Sequence, residues 1–171
     1  YYGGSADESA WNVAVDTQGN VIVAGYTRSS AFPTLLPYQG VFGGGFYDAF
    51  IVKFDPAGVR QWATYYGDTG DDYAYSVATD GLDDIVIAGS TSSSALPVVI
   101  PHQGVYGGGT QDAFALKFNS AGSICLWSTF YGNTAMEEGL GIACDKNNDV
   151  ILTGRVYTGG NFPVLNAHQP V

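Results

Sequence analysis

VAVDTQGNVIVAGYT, Val13–Thr27, is written three times in this chain. VATDGLDDIVIAGST (Val77–Thr91) repeats it at an offset of 64, and IACDKNNDVILTGRV (Ile142–Val156) at a further 65. Each copy holds two short runs rich in β-branched residues around an Asp-led turn, which is the pattern of a hairpin. The likeness spreads outward. YYGGSADESAW opens the chain, YYGDTGDDYAY follows from Tyr65, and FYGNTAMEEGL from Phe130. FPT at Phe32 answers LPV at Leu96 and FPV at Phe162. YQGVFGGGFYDAFIVKFDPAG (Tyr38–Gly58) answers HQGVYGGGTQDAFALKFNSAG (His102–Gly122), while the third copy runs only as far as His168–Val171. Residues 1–171 thus read as one segment, with repeat 1 at 11–68, repeat 2 at 75–133 and a partial repeat 3 at 139–171.

Each unit of about 64 residues predicts four antiparallel strands. In the first they are WNVAV, VIVAGYT, DAFIVKF and QWATYY. Asp16–Asn20 and Asp55–Gly58 supply turn residues for the two tight connections, and a Pro- and Gly-rich loop of about 20 residues joins strands two and three. No segment sustains a 3.6-residue period, so little or no helix is expected. Phe50, Val52 and Phe54 share one face of strand three; Ala49, Ile51 and Lys53 share the other. Strand two is apolar on both faces. A simple sandwich would leave one face polar. Two-sided burial at a fixed period fits all-β units stacked face to face as β-propeller blades, with two full blades and part of a third. A solenoid of stacked sheets is the competing arrangement.

Composition narrows the function classes. Apolar residues make up 46% and charged residues 13%, so the chain has the means to form a core. The net charge of −10, with six Lys and Arg in all, argues against nucleic acid as a partner. No apolar run is long enough for a membrane-spanning helix. The chain has no initiator Met and no leader-like start, which reads as a mature product, a fragment, or part of something longer.

The unit strongly resembles the bacterial SBBP-type β-propeller repeat. YYGGSADE, VAVDTQGNVIVAGYT, the FPT step, GVFGGGFYDAFIVKF and the returning WATYYG carry the resemblance over essentially the whole chain. It implies part of a large secreted or cell-surface bacterial protein, hence an extracellular or cell-surface location, and no general catalytic activity. Closed propellers need about 4–8 blades. The expected partners are therefore other blades, from the same longer chain or from other copies.

Acidic residues are the first site candidates. Glu8, Asp72 and Glu137 share one position, placed on the loop before strand one. They are candidate calcium ligands, since clustered carboxylates and loop carbonyls are hard oxygen donors. Asp16, Asp80 and Asp145 recur at the first turn, and Asp48 and Asp112 open strand three. For all of these a turn-forming role competes with a metal-binding one. No cofactor is expected beyond such calcium.

Aromatic residues are the second candidates. Tyr26, Tyr38, Phe42 and Tyr47 lie in or beside the first long loop and could stack on a glycan or a protein ligand. Burial beneath that loop is the alternative. Phe32, Leu96 and Phe162 read as packing anchors, whereas Tyr26, Ser90 and Arg155 differ at one shared position, as an interaction surface would. The runs Gly43–Gly45 and Gly107–Gly109 lack the Lys of a phosphate loop and read as turns. His102 and His168 fall about a blade apart, and Cys125 and Cys144 fall on strands expected to be too distant to bridge. No nucleophile–base motif is present. The expectation is a non-enzymatic structural or assembly module, with ligand binding as the alternative.

Overall fold

The computed structural model describes residues 1–157. Phe162, His168 and the end of the partial third repeat lie outside them. Among the described residues there is no helix. Four strands, β1 (Glu8–Val15), β2 (Val21–Thr27), β3 (Asp48–Phe54) and β4 (Arg60–Tyr66), form an antiparallel sheet in that order. The next four repeat it: β5 (Asp72–Thr79), β6 (Ile85–Thr91), β7 (Asp112–Phe118) and β8 (Cys125–Tyr131). A two-stranded sheet follows, β9 (Glu137–Cys144) with β10 (Val150–Val156). The described sheets do not close a ring.

The turns form for the reason their residues suggest. Asp16 Oδ1 accepts from the Gln18 and Asn20 amides at 3.0 and 2.8 Å. Asp80 and Asp145 do the same for Leu82 and Asp84, and for Asn147 and Asp149. One residue in each turn adopts a left-handed backbone: Gly19, Asp83 and Asn148, with φ of 81°, 63° and 67°. Glycine has no steric cost there, and Asp and Asn tolerate it. The turns also link neighbouring sheets. Thr17 donates through its amide and hydroxyl to the Asp83 carboxylate at 2.8 and 2.7 Å, and the Gly81 amide donates to Asn148 Oδ1 at 2.9 Å.

Burial on both faces of each sheet explains the doubly apolar strands. Ile22, Ala24, Ala49 and Ile51 face forward and pack against Ile85, Ile87, Phe114 and Leu116 of the second sheet. The second sheet's other face, with Val86, Ala88 and Ala115, packs on Ile142 of the third. Lys53 is not wasted on its apolar face: its ammonium meets the buried Asp16 carboxylate at 2.8 Å, and Lys117 meets Asp80 at 2.5 Å. The cysteines are free, with Cys125 in the first inter-sheet core and Cys144 beside the second.

One feature differs from the sequence-based expectation. Strand one begins at Glu8 rather than Trp11, because the ladder continues past a bulge. Trp11 is the bulged residue, skipped between Ala10 and Asn12, and Tyr75 and Leu140 repeat it. Gly25, opposite the bulge, is required by close approach: a Cβ there would run into the Ser9 carbonyl, and Gly89 stands likewise against Tyr73. Glu8, Asp72 and Glu137 consequently open strands instead of lying in the preceding loop. The long loop folds over the sheet edge, in line with the burial reading of its aromatics, and returns along the outer strand. Leu35 and Ala63 exchange backbone bonds at 3.0 and 2.9 Å, and the Tyr65 amide donates to Gln39 at 3.1 Å. The loop thereby covers an edge that would otherwise recruit other strands.

Candidate functional site

The recurrent acids meet at the seams between sheets. The Asp72 amide donates to the Tyr47 carbonyl at 2.7 Å, so β5 starts against the residue preceding β3. This brings Asp72 beside Asp48, both fully buried. A Cβ on Gly67 would stand 2.7 Å from Asp72 Oδ2 and 3.0 Å from Asp48 Oδ1, so both carboxylates crowd one glycine. The second seam repeats the arrangement. Glu137 donates its amide to Gln111 at 2.9 Å, and at Gly132 the same distances run to Glu137 Oε2 and Asp112 Oδ1.

Most of these oxygens have donors. Asp72 accepts from Thr91 Oγ1 at 2.5 Å, Ser93 Oγ at 2.8 Å and the Asp68 amide at 2.9 Å. Asp48 Oδ2 accepts from the Gly43 amide at 2.6 Å, and Asp112 Oδ2 from Gly107 at 2.7 Å. The glycine runs are therefore turns wrapped around a carboxylate, with left-handed Gly44, Gly45, Gly108 and Gly109. Asp48 Oδ1, Asp112 Oδ1 and Glu137 Oε1 are buried without a donor. Burial pushes Asp72 up to about 7 and Asp48 up to about 6; the Asp48 charge adds to the first, and Asp68 and Asp71 add to the second. Burial likewise takes Asp112 up to about 6, with Glu137 contributing. Glu8 has no such partner among the described residues and accepts from Thr27 Oγ1 at 2.9 Å. The three candidate metal residues are thus not gathered together; each lies on a different sheet.

The aromatic candidates divide. Tyr26 and Tyr47 touch at 5.0 Å between ring centroids, and both reach Tyr73, at 4.9 and 5.5 Å. Tyr73 stacks on Tyr75 at 5.8 Å, and Trp11 closes the group edge-on to Tyr75 at 5.3 Å. Five rings thus form one half-exposed cluster across the first seam. Asp71 lies on its rim, 3.5 Å from the Tyr73 hydroxyl. Burial foremost, and then Asp71, raise the Tyr73 phenol above its ordinary value. Tyr38 and Phe42 are elsewhere. Tyr38 packs on Phe118 and Phe42 on Tyr65, so both serve the sheet cores rather than this surface. The sequence reading missed Trp11, Tyr73 and Tyr75. The signal was present in the bulge position, where Trp11 and Tyr75 align with Leu140. At the second seam three of the five counterparts are polar, Ser90, Gln111 and Glu138, and the other two are Tyr75 and Leu140; Ser90 donates to Gln111, and Glu138 pairs with Arg155.

Residues 61–97 match a family described as the SBBP beta-propeller repeat, a stretch running from β4 across the first seam to the Leu96–Pro97 anchor. The chain is also 26% identical over 176 residues to an uncharacterised WD repeat-containing protein of Acanthamoeba polyphaga mimivirus, covering 86% of this chain and 12% of that one. The chain therefore spans about an eighth of that relative's length. Both matches support propeller-type repeats. The relative is viral, and neither match bears on a bacterial source.

Proposed function

We propose that this chain is a non-enzymatic assembly module, an arc of propeller blades whose open faces take further blades. One comparison carries the reading. Val77 is 5% exposed because the first sheet covers it; Val13, at the same place in the preceding unit, is 60% exposed. The opposite end shows the same contrast, with Ile22 fully buried and its counterpart Ile151 53% exposed. A groove of about 530 Å³ between the second sheet and the β9–β10 hairpin is lined by Trp127, Leu152 and Val156. Apolar faces of this kind are interaction surfaces. The partners are further blades, from a longer parent chain or from other copies, and the expected location is extracellular or cell-surface. Native mass spectrometry followed by denaturation in one run tests this. An 18.0 kDa chain in a larger particle supports assembly between copies. Val13→Asp should dissolve such a particle while leaving the chain folded. A Val13→Asp chain that associates as wild type does would overturn the reading.

The five-ring cluster favours a second role, binding of a protein or glycan ligand at the first seam. Flat, partly exposed rings bind such partners with little loss of side-chain entropy. Loss of binding in Tyr26→Ala and Tyr47→Ala, with retention in Tyr38→Ala, is the expected pattern on a glycan or protein array.

A further inference from the structure

Each seam buries two carboxylates with no cationic side chain to answer them. The ion pairs among the described residues go to Asp7, Asp16, Asp80, Asp84 and Glu138, not to the seam acids. The nearest charges at the first seam, Asp68 and Asp71, are negative as well. At the second, Glu138 is engaged by Arg155. Buried charges need compensation, and uncompensated ones are strongly destabilising. Three of the seam oxygens, on fully or almost fully buried side chains, have no donor, and two of them, Asp48 Oδ1 and Asp112 Oδ1, crowd the same seam glycine as the partner acid.

We propose that each seam binds one divalent cation of the calcium class, between Asp48 and Asp72 at the first and between Asp112 and Glu137 at the second. Calcium takes six to eight oxygen ligands from carboxylates, amide and backbone carbonyls and water, in flexible geometry. The seams offer such oxygens. Beside the two carboxylates, Gln39 Oε1 faces the seam glycine and accepts its amide at 3.0 Å; Gln103 Oε1 does so at 3.1 Å. Groups of three or more acidic, His or Cys side chains suited to a metal are absent among the described residues, so neutral oxygens and water complete the shell. A shared proton would cancel one of the two charges; a divalent ion cancels both, in surroundings that are negative already. The proposal revises the calcium expectation on Glu8, Asp72 and Glu137. Asp72 and Glu137 stay, Asp48 and Asp112 join them from the neighbouring sheet, and Glu8 drops out for want of a partner acid. It does not rest on what covers the open faces.

The stoichiometry is therefore two ions per chain, not three. The test uses chain stripped with EDTA and then supplied with about 1 mM calcium chloride, a level suited to extracellular calcium modules. Native mass spectra should show two bound calcium ions, and the thermal midpoint should rise by about 5 °C once calcium is in large excess over its dissociation constant. Magnesium, which demands stricter geometry, should give a smaller rise. Asp48→Asn should remove one ion and Asp112→Asn the other; should either variant fail to fold, the wild-type stoichiometry still decides. A chain that retains no calcium, and melts identically in calcium and in EDTA, overturns the proposal. A midpoint indifferent to calcium that falls as pH is raised through about 7 would overturn it in favour of a shared proton.

Discussion

Replacing Tyr66 tests how one sheet is fastened to the next. Tyr66 ends β4, yet its ring lies among residues of the second sheet, 5.7 Å from Phe114 and 6.2 Å from Phe118. It is fully buried, and its hydroxyl donates to the Pro97 carbonyl at 2.5 Å. Tyr66→Phe removes that bond but does not orphan the carbonyl, because Ser128 Oγ also donates to it at 3.1 Å. The cost should stay near the value of an ordinary hydrogen bond, about 1 kcal/mol, or roughly 2–4 °C for a chain of this size. Tyr66→Ala also empties the space of the ring and should cost about 4 kcal/mol. Tyr2 is the same residue one unit earlier. It packs on Phe32 and Phe54, and its hydroxyl donates to the Pro33 carbonyl. Among the described residues no sheet stands before it, and it is half-buried. Tyr2→Ala should therefore cost about 1–2 kcal/mol. Urea titrations followed by tryptophan fluorescence at equal chain concentration give all three values. Equal losses for Tyr2→Ala and Tyr66→Ala would refute the claim that enclosure by a neighbouring sheet, rather than the local motif, fixes these tyrosines.

The other predictions address turns, bulges and buried charge. Gly89→Ala should cost roughly 3 kcal/mol, because its methyl would strike the Tyr73 carbonyl and the Phe114 ring; Gly58→Ala, with φ of 78° and open space around it, should cost about 1 kcal/mol, and chemical denaturation separates the two. For Asp16, burial alone would raise the pKa, but the Lys53 ammonium and the Asn20 donors bring it down to about 2. A folded pKa below the unfolded one stabilises at neutral pH and loses that contribution as pH falls from about 4 through about 2. Lys53→Met should accordingly shift the acid unfolding midpoint upward, as read by circular dichroism. Asp83→Ala should remove the bonds from Thr17 to the neighbouring turn and add strain, since alanine tolerates the left-handed backbone less well than aspartate; a loss of about 2 kcal/mol is expected from thermal melts.

The sheets were legible in the sequence because their causes are local. The Asp-led turns and the alternating faces of DAFIVKF each act within one unit, and both form as read. What the sequence concealed is what crosses between units. Asp48 and Asp72 were both visible as recurrent acids, but periodicity states that each position recurs, not which positions of adjacent units meet. Their pairing follows from the hydrogen bond that the Asp72 amide donates to the Tyr47 carbonyl, a tertiary contact. The aromatic cluster was half legible for the same reason. Tyr26 and Tyr47 lie in the first unit, whereas Tyr73 and Tyr75 join them only once two sheets are stacked. Trp11 was masked by a different cause. An unbroken two-residue alternation gives every residue a face, and a bulge is the one place where that rule lapses.

That lapse has a consequence for how such a chain can change. The bulged residue makes no ladder pair with its neighbour strand, so its identity is nearly free of the demands that fix the rest of the unit. Trp11, Tyr75 and Leu140 already show three different occupants in three consecutive copies. Duplicating a unit duplicates the open slot along with the scaffold. Substitutions confined to a row of such slots could rewrite what the surface recognises, one blade at a time, while the sheets beneath stay as they are.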